Sequence, residues 1–100
     1  MLMSLLKKEI IKIINHYLRV NMNFAVYSKD GCPYCEKIKE VLDLTKLKYV
    51  VYNLNEDFDK KSFYEEFGEG STFPQVSVDG KKLGGCVDTI EYLKENQIVK

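Results

Sequence analysis

Two cysteines, Cys32 and Cys35, are the residues whose types and spacing point most directly to chemistry. They enclose a proline and a tyrosine, Cys-Pro-Tyr-Cys, at the start of a helical pattern. A helix N-terminus stabilises a thiolate, because its N–H groups are unpaired and the helix dipole is positive there. Lys29, shortly upstream, adds a positive charge. We therefore expect Cys32 to be an exposed thiolate nucleophile and Cys35 a more buried resolving thiol.

The spacing of the two cysteines leaves more than one interpretation open. Sulfurs this close at a helix start can form an intramolecular disulfide. The pair could instead be half of a structural zinc site, or two cysteines that only pack in the core. A zinc site needs four converging ligands, and the remaining candidates are Cys86 and His16. The helical pattern places His16 on a polar face, which argues against the zinc site.

Length and composition restrict the class of protein. A chain of 100 residues with 45% hydrophobic residues fits one globular domain. Fifteen basic and fifteen acidic residues give no net charge, which argues against a nucleic-acid partner. No apolar run reaches the about 18 residues of a membrane span. Three cysteines are too few for a secreted disulfide scaffold, and no signal peptide is recognisable. We expect a monomer in the cytoplasm.

Hydrophobic periodicity predicts the helices that position the cysteines, and runs rich in β-branched and aromatic residues predict the first strands. An amphipathic helix is predicted within residues 1–21, before a core over 23–97, and together they form a single domain over 1–100. Asp79-Gly80 is typical of a hairpin turn. The predicted elements are a helix over 3–19, a strand over 24–27, a helix over 33–46, a strand over 48–54, a helix over 57–67, a strand over 75–78, a return strand at Lys82-Leu83 and a helix over 87–96. This order predicts an α/β sheet covered by helices.

Two further segments complete a recognisable pattern. Thr72-Phe73-Pro74 precedes the third strand, and Gly84-Gly85-Cys86-Val87-Asp88 joins the fourth strand to the last helix. With Lys29 and the two cysteines, their order and spacing resemble those of a dithiol glutaredoxin, over about residues 23–93. The resemblance implies a thioredoxin fold: a four-stranded mixed sheet flanked by helices, with an extra N-terminal helix. It also implies a glutathione-dependent thiol–disulfide oxidoreductase.

The resemblance implies roles for the residues around the cysteines. Pro74 would follow a cis peptide bond that aims the backbone of Phe73 at the cysteinyl part of glutathione. The N–H groups of Cys86 or Val87 and of Asp88 would bind the γ-glutamyl carboxylate, and the Asp88 side chain its ammonium. Cys86 is otherwise interpreted as a packing residue. The expected glutathione-binding residues are Lys29, Tyr34, Thr72, Phe73, Pro74, Gly85, Cys86, Val87 and Asp88.

The implied reaction is attack by Cys32 on a protein–glutathione disulfide or a protein disulfide, resolved by a second glutathione or by Cys35. Glutathione is the co-substrate, and no metal or tightly held cofactor is expected. The implied partners are glutathionylated or disulfide-containing proteins, with ribonucleotide reductase among the family's targets. Some glutaredoxins bridge an iron–sulfur cluster between subunits. Those usually carry glycine or serine at the position of Pro33, so the proline argues against a cluster.

The sequence departs from the family's usual pattern at two positions. Ser71 stands where a basic residue is common, and Phe73 replaces the more usual valine. Lys29 is then the first candidate cation for the glycine carboxylate of glutathione, with Tyr34 flanking the same groove. Lys60 or Lys61 could supply the missing charge, although a solvated helix face is the preferred interpretation of both.

Overall fold

The computed structural model describes residues 22–96. The predicted helix over 3–19, with His16, lies outside the described residues, as do residues 97–100. Within the described range, the order of strands and helices is the predicted one. The elements are β1 (Asn23–Ser28), α1 (Pro33–Leu44), β2 (Lys48–Asn53), α2 (Lys60–Phe67), β3 (Gln75–Val78), β4 (Lys81–Gly84) and α3 (Cys86–Glu95).

The strands form one mixed sheet in the order β2-β1-β3-β4. The central strand β1 is parallel to β2 and antiparallel to β3. The antiparallel pair of β3 and β4 is closed by Asp79 and Gly80, with φ angles of 48° and 84°. Positive φ at both turn residues matches the twist of a two-residue hairpin, as the Asp-Gly signal predicts. The four-stranded mixed sheet is confirmed.

The two faces of the sheet carry different cores, because successive side chains of a strand point to opposite faces. Phe24 and Val26 of β1 are buried in one cluster with residues of α1 and α3, including Ile38 and Leu93. Tyr27, the residue after Val26, lies on the opposite face and packs against Phe67 of α2, with ring centroids 4.9 Å apart. Helices therefore cover both faces and fix the ends of the strands that carry the site.

The start of α2 differs from the sequence-based prediction of a helix from residue 57. The Asp57 carboxylate instead accepts a hydrogen bond from the backbone N–H of Asn53, at 2.8 Å. Asp59 is the N-cap, and its side chain accepts from the Ser62 N–H at 2.8 Å. Aspartate competes for backbone N–H groups in this way and so favours turns and caps over helix interiors. The aromatic residues on which the helix prediction rests do not reveal this; they are Phe58, Phe63, Tyr64 and Phe67.

Candidate active site

The two cysteines lie at the N-terminus of α1. Cys32 is the N-cap, with extended backbone, and Pro33 follows in the first turn, where proline is tolerated best. The Cys35 N–H donates a hydrogen bond to Cys32 Sγ at 3.2 Å. Cys32 and Cys35 are joined by a disulfide, with their Cα atoms 5.2 Å apart. Once the disulfide is reduced, the Cys32 sulfur is placed where an N–H donor and the helix dipole stabilise a thiolate.

The exposure of the cysteines corrects one expectation. Cys32 retains only 7% exposure and Cys35 has none, so the expected order holds but Cys32 is buried rather than exposed. Its sulfur is bonded to that of the fully buried Cys35 and therefore does not project into solvent. Among residues 22–96, no group of three or more His, Cys, Asp or Glu side chains could hold a metal ion.

The segment before β3 carries the predicted cis bond, between Phe73 and Pro74. Pro74 is buried, and the Phe73 ring stacks on that of Phe63, with centroids 4.2 Å apart and planes 10° apart. The Lys29 ammonium lies over the Phe73 ring, 5.4 Å from its centroid. The residue that replaces valine in the usual pattern therefore contacts both α2 and the predicted cation.

A groove of about 300 Å³ gathers all the predicted glutathione-binding residues except Lys29. Tyr34, which lies between the two cysteines in sequence, lines it and is 60% exposed. Lys29 does not line the groove but contacts Phe73, which does. The full lining is Tyr34, Thr72, Phe73, Pro74, Gln75, Gly84, Gly85, Cys86, Val87 and Asp88. The binding roles of these residues remain predictions.

Two lining residues, Gln75 and Gly84, were not among the predicted binding residues. The Gln75 side chain donates a hydrogen bond to the Thr72 carbonyl at 2.9 Å, across the cis bond. Gly84 has a φ of 111°, and a Cβ there would clash with the Asp88 carboxylate. Glycine, which has no Cβ, permits this close approach of the Asp88 side chain to the backbone. Nothing in the sequence indicates the direction of the Gln75 side chain.

The N-terminus of α3 forms the far wall of the groove. Its N-cap is Gly85, which has no side chain to accept hydrogen bonds from the first turn. The Asp88 carboxylate accepts from the Gly85 N–H at 3.2 Å and remains exposed. An anion can bind the unpaired N–H groups of such a helix start. The exposed carboxylate of Asp88 can bind a cation beside it.

Cys86 behaves as a packing residue, as expected. It belongs to the main hydrophobic cluster with 6% exposure, and its thiol is free. Burial raises the pKa of the Cys86 thiol, and the positive charge of Lys37 opposes this only in part. Because the thiolate is the reactive form, the raised pKa of Cys86 lowers its reactivity, whereas Cys32, of similar exposure, lies at a helix N-terminus that favours its thiolate.

The difference in reactivity between Cys32 and Cys86 predicts selective alkylation of the reduced protein. With limiting iodoacetamide near neutral pH, we expect modification at Cys32 and an unmodified Cys86, identified by peptide mass spectrometry. Raising the pH should increase modification of Cys86, since its raised pKa keeps the thiol protonated at lower pH. Modification of Cys86 ahead of Cys32 at neutral pH would contradict the assignment. Alkylation in urea, where both thiols are accessible, is the control.

The sequence itself identifies the family. Residues 24–83 match the Glutaredoxin family profile. The chain belongs to the glutaredoxin family. It is 39% identical over 80 residues to Glutaredoxin-C4 of Arabidopsis thaliana, which covers 76% of this chain and 58% of that protein. It is 36% identical over 78 residues to Glutaredoxin 1 of Rickettsia prowazekii, which covers 75% of this chain and 81% of that protein.

Solved glutaredoxin structures share the fold. Glutaredoxin 1 of Francisella tularensis, complexed with cacodylate, superposes with a TM-score of 0.64 at 22% identity, over 79% of this chain and 99% of that one. The buckwheat glutaredoxin–glutathione complex superposes with a TM-score of 0.65 at 23% identity, over 91% of this chain and 84% of that one. The thioredoxin fold is thus confirmed. Glutaredoxins are glutathione-dependent thiol–disulfide oxidoreductases, and the Cys32–Cys35 pair supplies thiol–disulfide chemistry in this chain.

Proposed function

We propose that this glutaredoxin uses glutathione to reduce protein–glutathione mixed disulfides and protein disulfides. Cys32 is the nucleophile and Cys35 the resolving thiol. The observation that carries the proposal is the Cys32–Cys35 disulfide at the start of α1, with Tyr34 between them lining the groove. The glutathione present in the related buckwheat structure supports the choice of reductant.

The reaction proceeds by two exchanges of sulfur partners. The Cys32 thiolate attacks the glutathione sulfur of the mixed disulfide, and the protein thiolate leaves and takes a proton from solvent. A second glutathione thiolate attacks the glutathione sulfur on Cys32, which releases oxidised glutathione and restores the Cys32 thiolate. With a protein disulfide, Cys35 displaces the substrate thiol instead, forming the Cys32–Cys35 bond. Two glutathione molecules then reopen that bond.

The groove offers complementary partners for the charged ends of glutathione. The first-turn N–H groups of α3 bind the γ-glutamyl carboxylate, and the Asp88 carboxylate binds the adjacent ammonium. The Phe73 backbone pairs with the cysteinyl part, while Pro74 has no N–H to offer. Lys29 binds the glycine carboxylate. Thr72, Tyr34 and Gly85 complete the walls, and Gly85 permits close approach of the ligand backbone.

The test of this function is reduction of a glutathionylated peptide, coupled to NADPH oxidation through glutathione reductase. We expect turnover that depends on both the protein and glutathione, with formation of oxidised glutathione. A protein without glutathione-dependent turnover would contradict the proposal. Omitting glutathione while supplying thioredoxin reductase is the control for a different source of electrons.

Replacing Asp88 with asparagine should weaken glutathione binding without disturbing the helix. Asparagine keeps a side-chain oxygen for the Gly85 N–H but loses the charge that pairs with the ammonium. We expect the KM for glutathione to rise roughly tenfold, the scale of one charged hydrogen bond, with kcat little changed. Glu91→Gln is the matched control, because Glu91 is an exposed acid of the same helix outside the groove lining. An equal KM in Asp88→Asn and wild type would refute this role.

We further propose that the protein acts as a monomer in the cytoplasm, where glutathione keeps thiols reduced. Glutathionylated and disulfide-containing proteins are its proposed partners, with ribonucleotide reductase as one family target to test. The neutral net charge supports protein and peptide substrates over nucleic acid. Light scattering of the purified chain tests the monomer, and subcellular fractionation tests the compartment.

A further inference from the structure

Lys29 and Phe73, far apart in sequence, meet beside the groove. The Lys29 ammonium lies 5.4 Å from the centroid of the Phe73 ring, within the about 6 Å of a cation–π contact. Lys29 is exposed and follows β1, whereas Phe73 lines the groove and precedes the cis bond. The contact therefore joins a solvent-exposed cation to the wall of the glutathione groove.

The Phe73 ring is held in place from the side of α2. It stacks on Phe63, with centroids 4.2 Å apart, and lies 6.2 Å from the Phe58 ring. Phe63 is only 2% exposed, so this support is part of the core. A ring fixed in this way gives the Lys29 ammonium a defined position, which a leucine or valine at residue 73 would not provide.

The charges around the groove show why this position matters. Asp88 is the only charged residue among those described as lining the groove, and none of the lining residues is basic. Ser71, before the cis bond, carries no charge. A carboxylate of a ligand bound in the groove can therefore pair only with a cation from a residue that does not itself line the groove. Lys29 is such a residue, and its ammonium contacts Phe73, which lines the groove.

We propose that Phe73 is a positioning residue that holds the Lys29 ammonium for the glycine carboxylate of glutathione. The inference rests on the proposed function. A lysine side chain has many rotamers, and fixing it beforehand lowers the entropy lost when the ligand binds. The ring contacts one side of the ammonium, and its remaining N–H donors stay available to a carboxylate.

The test is a double-mutant cycle on the KM for glutathione, with Phe73→Leu and Lys29→Gln separately and together. Phe73→Leu should raise the KM about threefold in the Lys29 protein and by clearly less in the Lys29→Gln background. Phe73→Tyr keeps an aromatic ring at this position, and its KM for glutathione should equal that of the wild type. An equal rise caused by Phe73→Leu in both backgrounds would overturn the positioning role.

Phe67→Leu is the matched control. Phe67 belongs to the same aromatic cluster and also has a lysine ammonium, that of Lys82, 5.4 Å from its centroid. It does not line the groove, so we expect its effect on the KM to be independent of Lys29. Dependence of the Phe67→Leu effect on Lys29 would show that general loosening of the cluster explains the cycle, and would overturn the proposal.

A second readout separates this inference from the proposed function. By NMR, the ε-methylene protons of Lys29 should be shifted upfield by the Phe73 ring, and the shift should disappear in Phe73→Leu. Absence of the upfield shift in the wild type would overturn the contact, whatever the activity. A wild type with the shift but without glutathione-dependent turnover would contradict the proposed function, and the positioning role with it.

Discussion

Cys32→Ser is expected to lower glutathione-dependent turnover at least about a thousandfold, the scale for loss of a catalytic nucleophile. Serine occupies nearly the same space at the start of α1, but its hydroxyl is not ionised at neutral pH and cannot form a disulfide with glutathione. The Cys35 N–H, which donates to the Cys32 sulfur in the wild type, then faces the serine oxygen, which cannot take part in thiol–disulfide exchange. The NADPH-coupled assay with a glutathionylated peptide measures the loss.

Cys35→Ser is the matched control, because it makes the same substitution three residues later in the same helix turn. We expect it to keep turnover of the glutathionylated peptide, since a second glutathione can resolve the intermediate on Cys32. Mass spectrometry should find one glutathione on Cys32 of this variant. Its reduction of protein disulfides should fall, because no internal thiol displaces the substrate. Activity in Cys32→Ser together with its loss in Cys35→Ser would reverse the two assigned roles.

The fold was predictable from sequence where a simple physical pattern determines an element. The apolar run of strand-forming residues over 24–27 predicts a strand, and Asp79-Gly80 predicts the hairpin, whose two positive φ angles suit these residues. The start of α2 was not predictable from periodicity, because the aspartates before Lys60 accept backbone hydrogen bonds in a turn and a cap.

The sequence predicts which residues form the site, but it predicts less of their geometry. Chemistry and spacing alone point to Cys32 and Cys35, whereas Thr72, Pro74 and Asp88 were named through the family resemblance. The low exposure of Cys32 was missed, because exposure depends on where the sulfur turns once it bonds to Cys35. The contact of Lys29 with Phe73 depends on the fold and has no signal in the local sequence.

Phe63→Ala is expected to cause the largest loss of stability that we predict, about 3–5 kcal/mol in the free energy of unfolding. Phe63 is 2% exposed, and its ring packs against four others, those of Phe58, Tyr64, Phe67 and Phe73. Alanine removes the shared centre of these contacts and leaves a cavity between α2 and the sheet. The free energy of unfolding of a small domain is only about 5–15 kcal/mol in total, so the variant should be close to unfolding. Urea denaturation of the full chain, followed by circular dichroism, measures the difference.

Tyr64→Ala tests whether burial or the helix itself causes that loss. Tyr64 is the next residue of α2 and is only partly buried, with one ring contact described, to Phe63. Both substitutions introduce alanine, the best helix former, so helix propensity cannot lower stability in either variant. We expect Tyr64→Ala to lose clearly less than half as much free energy of unfolding as Phe63→Ala. Equal losses would show that Phe63 is not the centre of the aromatic cluster. Its packing would then not be what holds Phe73 against the glutathione groove.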